Sequence, residues 1–119
     1  MTPTERIAVE LLGWVLEGKG FNFSGNRYRK GEIKANVGLD GVARFSPGNV
    51  WPDLTTLDGC RAFEDALLRD GLLGRYRLEL RDMGYTHLPK VTSVAEMIFM
   101  ANPTQRVAAC IAVLDEIAK

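Results

Sequence analysis

The stretch from Leu73 to Arg81, Leu-Gly-Arg-Tyr-Arg-Leu-Glu-Leu-Arg, constrains the fold most, because its residues alternate in character. Read as an extended strand, it places Tyr76, Leu78 and Leu80 on one side and Arg75, Arg77, Glu79 and Arg81 on the other, since side chains alternate across a strand. The apolar side is expected to meet a layer of helices. The charged side is not, because sealing an ion from water costs several kcal/mol unless pairing or hydrogen bonding offsets it. That row therefore faces water, a partner subunit or an anionic ligand.

The 119 residues suffice for one domain that folds without staples. With 46% apolar and 25% charged residues, the chain reads as an ordinary soluble globular protein. No segment approaches the roughly 18 unbroken apolar residues of a membrane span. Glu5 and Glu10 stand where a signal peptide needs an apolar core. Basic and acidic residues number 15 each, so no broad positive field gathers nucleic acid non-specifically, and any anion site must be local. Cys60 and Cys110 each lie in an apolar helical pattern and read as buried, reduced thiols.

In chain order, Thr2-Pro3-Thr4-Glu5 is a helix start with Thr2 as N-cap, Pro3 at the first helical position and Glu5 closing a capping box. The helix is expected to reach about Leu16 on a stripe of Ile7, Ala8, Leu11, Leu12, Val15 and Leu16, with Gly18 and Gly20 as stops. Trp14, beside that stripe, reads as an indole at the edge of the core. Phe21 to Gly31 is rich in turn formers and reads as a loop. Within it Arg27, Tyr28, Arg29 and Lys30 join positive charge to a stacking ring, which suits a phosphate-bearing ring system, although a solvated hairpin tip has the same composition.

Glu32 to Phe45 reads as a β-hairpin turning at Asp40-Gly41, with Ile33, Ala35, Val37 and Leu39 alternating on the entering strand. A two-residue turn would set Val42 and Arg44 with that row, so either the loop is longer or a bulge lies near Gly38. A second helix begins at Thr55 or Thr56, buries Leu57, Cys60, Phe63, Leu67 and Leu68, and stops at Gly71. His87, in a turn-rich passage with no second His or Cys near it, makes no metal site, and no cofactor is implied. Val91 to Met100 fits a short helix capped by Ser93 or another strand. Asn102-Pro103 restarts a helix carrying Val107, Cys110, Ile111, Leu114 and Ile117. The expected fold is α+β: a small, mainly antiparallel sheet with packed helices in the order α-β-β-α-β-α, sandwich-like.

Three stretches together resemble the phage ABA sandwich domain family. Glu5 to Trp14, ending in a Gly-Trp pair, is similar to that family's opening helix. Trp51-Pro52 through Asp58, Ala62 and Phe63 is similar to its Trp-x-Pro passage into a middle helix. Asn102-Pro103 through Leu114 is similar to its Ala- and Cys-rich closing helix. The resemblance covers roughly half the chain and implies a small phage or prophage protein of the host cytoplasm, with helices packed on a sheet. It brings no catalytic residues. Small phage families of this sort often act against bacterial defence systems. Helices on both faces would bury the arginine row of residues 73–81, so that strand is expected at an edge or partly uncovered.

The candidate ligand-binding set is Arg75, Arg77, Arg81, Arg27, Tyr28 and Arg29, with Trp51 as a stacking platform, because guanidinium forks match phosphates and aromatic rings hold bases. The leading expectation is an accessory binding protein that sequesters a small anionic ligand, a nucleotide-type immune signal. The alternative is an inhibitor that binds a host defence protein. An enzyme is the poorest reading: no nucleophile elbow, metal spacing or phosphate loop occurs, and Asp53, Asp58 and Glu64 fit helix-cap roles. Apolar residues such as Phe21, Phe23, Trp51 and Met100 in need of cover point to a homo-oligomer.

Overall fold

A computed structural model describes residues 2–19, 25–44, 51–82 and 101–118. The expectations for His87, for residues 91–100, for Phe21 and Phe23 and for Phe45 at the end of the hairpin fall outside them. Four helices and four strands run in the order α1 (Pro3–Glu10), β1 (Val15–Lys19), β2 (Gly25–Lys30), β3 (Ile33–Gly38), β4 (Ala43–Arg44), α2 (Leu57–Arg69), α3 (Leu73–Asp82) and α4 (Pro103–Ile117) among the described residues. The fold is α+β, as expected, and its backbone clusters into two units, residues 1–53 and 54–119.

In the first unit, α1 has the capping box its sequence announces: the Glu5 amide donates to Thr2 Oγ1 at 3.2 Å and the Thr2 amide to Glu5 Oε1 at 3.3 Å. The helix is shorter than expected and ends at Glu10. Gly13 takes a left-handed φ of 82°, and Val15 and Leu16 enter β1 instead, both largely exposed. Four antiparallel strands then follow in simple sequence, β1-β2-β3-β4. Residues 25–30, expected in a loop, form β2, because pairing with β3 from Gly25↔Gly38 to Lys30↔Ile33 gives their backbone groups partners. The β3–β4 loop is the longer alternative. Val37 pairs with Ala43, the Gly38 amide donates to Val42 O at 3.1 Å, and Gly41 has φ 79°. Three residues, Leu39, Asp40 and Gly41, therefore make the turn, and Ala43 rather than Val42 joins the apolar row. Ala8, Trp14, Tyr28, Ala35, Val37 and Trp51 form this unit's core, with Val9, Leu12, Ile33 and Ala43 at its margin.

In the second unit, α2 starts at the Thr56 cap and closes with a Schellman motif at Gly71 (φ 74°): Leu72 N–H donates to Leu67 O at 2.8 Å and Gly71 N–H to Leu68 O at 3.2 Å. Residues 73–81 are the main correction. They are not a strand but helix α3. Leu73, Tyr76 and Leu80 have i, i+3, i+7 spacing, which a helix gathers on one side as readily as a strand does. The run holds Arg, Leu and Glu, good helix formers, and no β-branched residue. Tyr76 and Leu80 are accordingly fully buried, while Leu78, assigned to the same dry side by the strand reading, is 47% exposed.

Helix α4 begins with a capping box in which Asn102 and Gln105 exchange bonds of 2.8 and 2.9 Å. Its buried stripe is Arg106, Ala109, Cys110, Val113 and Leu114, rotated from the expected one, so that Ile117 is 46% exposed. Cys60 and Cys110 are buried and form no disulfide, as expected. Phe63 meets Tyr76 edge to face, centroids 6.0 Å apart. Among the described residues no helix is long and apolar enough to cross a membrane.

Candidate functional site

Strand β2 sorts its residues by the period-two rule. Asn26 and Tyr28 turn to the core side, and Arg27 and Arg29 to the opposite, outer face of the sheet. The register adds neighbours: Arg29 lies directly across from Lys34 on β3 and from Val15 on β1, and Arg27 from Asn36 and Gly18. Arg29 and Lys34 are exposed and Arg27 half-buried. Arg29 Nε lies 3.2 Å from Glu17 Oε1, an ion pair open enough to water to be worth no more than about 1 kcal/mol. Gly18, at the β1 irregularity, leaves open space where a side chain would stand.

The aromatic members of the candidate set are not with these cations. Tyr28 is fully buried and Trp51 is 6% exposed. The Trp51 ring lies 5.0 Å from Tyr28 and 5.1 Å from Trp14, and its Nε1–H donates to Gly41 O at 3.0 Å. This indole is a core residue with its polar end satisfied, so it neither offers a stacking platform nor counts as apolar surface seeking an oligomer.

Tyr28 has a further partner that the sequence did not disclose. Its hydroxyl donates to Glu5 Oε2, which also accepts from Asn26 Nδ2 at 2.9 Å, while Glu5 Oε1 accepts from the Thr2 hydroxyl at 3.1 Å and the Thr2 amide. Burial alone would raise the Glu5 carboxyl, but the bonds from Tyr28, Asn26 and Thr2 outweigh it and hold the group below the usual carboxylate range. The Tyr28 hydroxyl moves the other way, pushed far up by burial, by its bond to Glu5 and by the Glu5 charge. With the two affinities driven apart, the proton stays on tyrosine near neutrality, so the pair clamps α1 to β2 and is poorly suited to pass protons.

A parallel network lies in the second unit. Tyr76 OH donates to Glu64 Oε2 at 2.7 Å, Arg106 Nη1 to Glu64 Oε1 at 3.0 Å, and Arg106 Nε to Ala101 O at 2.8 Å. Burial, then the Glu64 bond and charge, push the Tyr76 hydroxyl far up despite the opposing Arg106 charge. Glu64 thus ties three helices together rather than capping one. Arg106, Lys34 and Glu17 were not singled out from sequence. Lys34 was readable from the β3 alternation, whereas nothing local marks Arg106 as paired across 42 residues with Glu64.

Arg75, Arg77 and Arg81 lie exposed on α3 rather than in a row on a strand. Arg77 and Arg81, four apart, share a helix face, with Leu78 beside them. Arg75 is turned away and lies 3.9 Å from Glu116, and Arg81 Nε lies 3.5 Å from Asp82. The candidate set therefore divides into a β-sheet pair, a helix group and two core aromatics. Among the described residues no cluster of His, Cys, Asp and Glu could hold a metal ion.

No family model, curated protein or solved structure matches the chain, so its class rests on the geometry alone: a small α+β protein whose outer sheet face carries Arg27, Arg29 and Lys34 and, among the described residues, no aromatic ring.

Proposed function

We propose that the protein is a non-catalytic accessory binding protein, of the phage-encoded type its resemblance implies, which sequesters a small phosphate-bearing signal in the host cytoplasm. The observation that supports this is the division of β2: its two guanidiniums face away from the interior and its ring faces into it. Charge-assisted hydrogen bonds contribute about 1.5–3 kcal/mol each, so a few preorganised arginines suffice for useful affinity. The test is calorimetric titration with cyclic dinucleotides, cyclic trinucleotides and ADP-ribose; heat from at least one supports the reading, and silence across the panel removes it.

A second reading, an inhibitor that covers a host defence protein, draws on Leu78, 47% exposed beside Arg77 and Arg81. Mixed apolar and arginine surface is what protein contacts favour. A pull-down that recovers one dominant host protein, from a preparation indifferent to the nucleotide panel, would select it.

A further inference from the structure

We infer that the outer face of the β1–β4 sheet, centred on Arg29, Lys34 and Arg27, is a phosphate-binding surface that takes two adjacent phosphoryl groups of a small ligand and leaves its base unread. This rests on the anion-binding reading above and adds to it the surface and the ligand class. Arg29 and Lys34 are direct cross-strand neighbours on the exposed face. Like charges so placed, with Cα atoms about 4.5–5.5 Å apart, destabilise a sheet. Arg27 lies two residues along the same strand, roughly 7 Å away. Three long cationic side chains thus share one patch within about a screening length of each other.

Glu17 meets Arg29 from the β1 side and leaves two of the three positive charges on this patch uncompensated by it. A diphosphate supplies what the patch lacks. Its oxygens accept the paired N–H groups of a guanidinium, and the Lys34 ammonium adds a point charge. Gly18, opposite Arg27, leaves open space beside them, and Asn36 offers an amide donor. Tyr28, Trp14 and Trp51 lie on the other side of the sheet, so no described ring stacks on a base here. Helix α3 is the weaker candidate, because Arg75 is turned away from Arg77 and Arg81 and pairs with Glu116, while Arg81 pairs with Asp82.

The experiment uses the full chain, titrated with pyrophosphate and with ADP by calorimetry, beside Arg29→Gln, Lys34→Gln and an Arg77→Gln/Arg81→Gln control. The wild type is expected to bind both probes with dissociation constants within about threefold of each other. Each sheet variant should weaken binding by about tenfold or more, and the helix control should leave it unchanged. Lys34→Gln should also raise the melting temperature without anion, by removing the repulsion, and shrink the rise pyrophosphate causes. Loss of binding in the helix control with the sheet variants intact overturns the assignment to the sheet while anion binding stands. ADP binding tighter than pyrophosphate by more than about tenfold overturns recognition by charge alone. Absence of binding by either probe removes the surface, and silence across the nucleotide panel as well removes the functional reading.

Discussion

Replacing Tyr28 with Phe removes one hydroxyl from the first unit. The ring keeps its place against Trp51, centroids 5.0 Å apart, while the bond to Glu5 Oε2 is lost together with the hydroxyl's interaction with the Asn26 side chain. A hydrogen bond to a charged group contributes about 1.5–3 kcal/mol, and here the carboxylate keeps Asn26 and Thr2 as donors. The expected loss is therefore about 2 kcal/mol, a large fraction of the roughly 5–15 kcal/mol that holds a domain folded. Glu5→Gln should cost more, about 3 kcal/mol, because an amide presents an N–H₂ where the carboxylate accepted on both oxygens. Urea unfolding followed by tryptophan fluorescence reads this unit directly, since Trp14 and Trp51 both lie in its core. The double variant should lose about 1 kcal/mol less than the sum of the singles, because the two groups interact.

The pH dependence has a fixed sign. Glu5 is held below its unfolded value, so its contribution is complete above about pH 4.5 and disappears as pH falls through the folded value. Glu5→Gln should flatten that acid limb. If Tyr28→Phe lies within about 0.5 kcal/mol of wild type and shows no coupling to Glu5, the clamp does not exist in solution and the reasoning fails.

Gly41→Ala should cost roughly 2–3 kcal/mol by thermal denaturation: an L-residue at φ 79° is strained, and its Cβ would lie 2.5 Å from Thr2 Oγ1, disturbing the α1 cap. Arg106→Met should destabilise the second unit by about 3–5 kcal/mol in chemical unfolding followed by far-UV circular dichroism, because it strands the Glu64 carboxylate. Adding Glu64→Gln should recover part of that loss; no recovery would mean that the ion pair is not the cause. Tyr28 and Tyr76 are both held protonated well above their unfolded values, so their contribution to stability should be flat up to about pH 10 and fall as pH rises further. Absorbance of ionised tyrosine should rise with unfolding rather than before it.

Features that a few neighbouring residues determine were legible in the sequence. Thr2-Pro3-Thr4-Glu5 and Asn102-Pro103 start helices because a cap is a contact over three residues. The hairpin at Asp40-Gly41 was legible with its register open, since the choice between a two- and a three-residue loop depends on which of Val42 and Ala43 the core accepts. The segment from Leu73 to Arg81 misled because its spacing satisfies both periods; the periods assign Tyr76 and Leu80 alike and differ at Leu78. In the candidate site, the outward arginines were legible as charges. Their separation from Tyr28 required knowing that residues 25–30 pair as a strand. The roles of Glu5 and Glu64 were hidden because Asn26, Tyr28 and Arg106 are remote in sequence.

The most direct test of the account is an amide and side-chain NMR map of the ¹⁵N-labelled protein during titration with pyrophosphate. Shifts should concentrate at Arg27, Arg29, Lys34 and Asn36, with the Trp14 and Trp51 indole N–H signals unmoved on the far side of the sheet. Shifts confined to α3, or movement of the indole signals with those four residues silent, would contradict a charge-only site on the outer face.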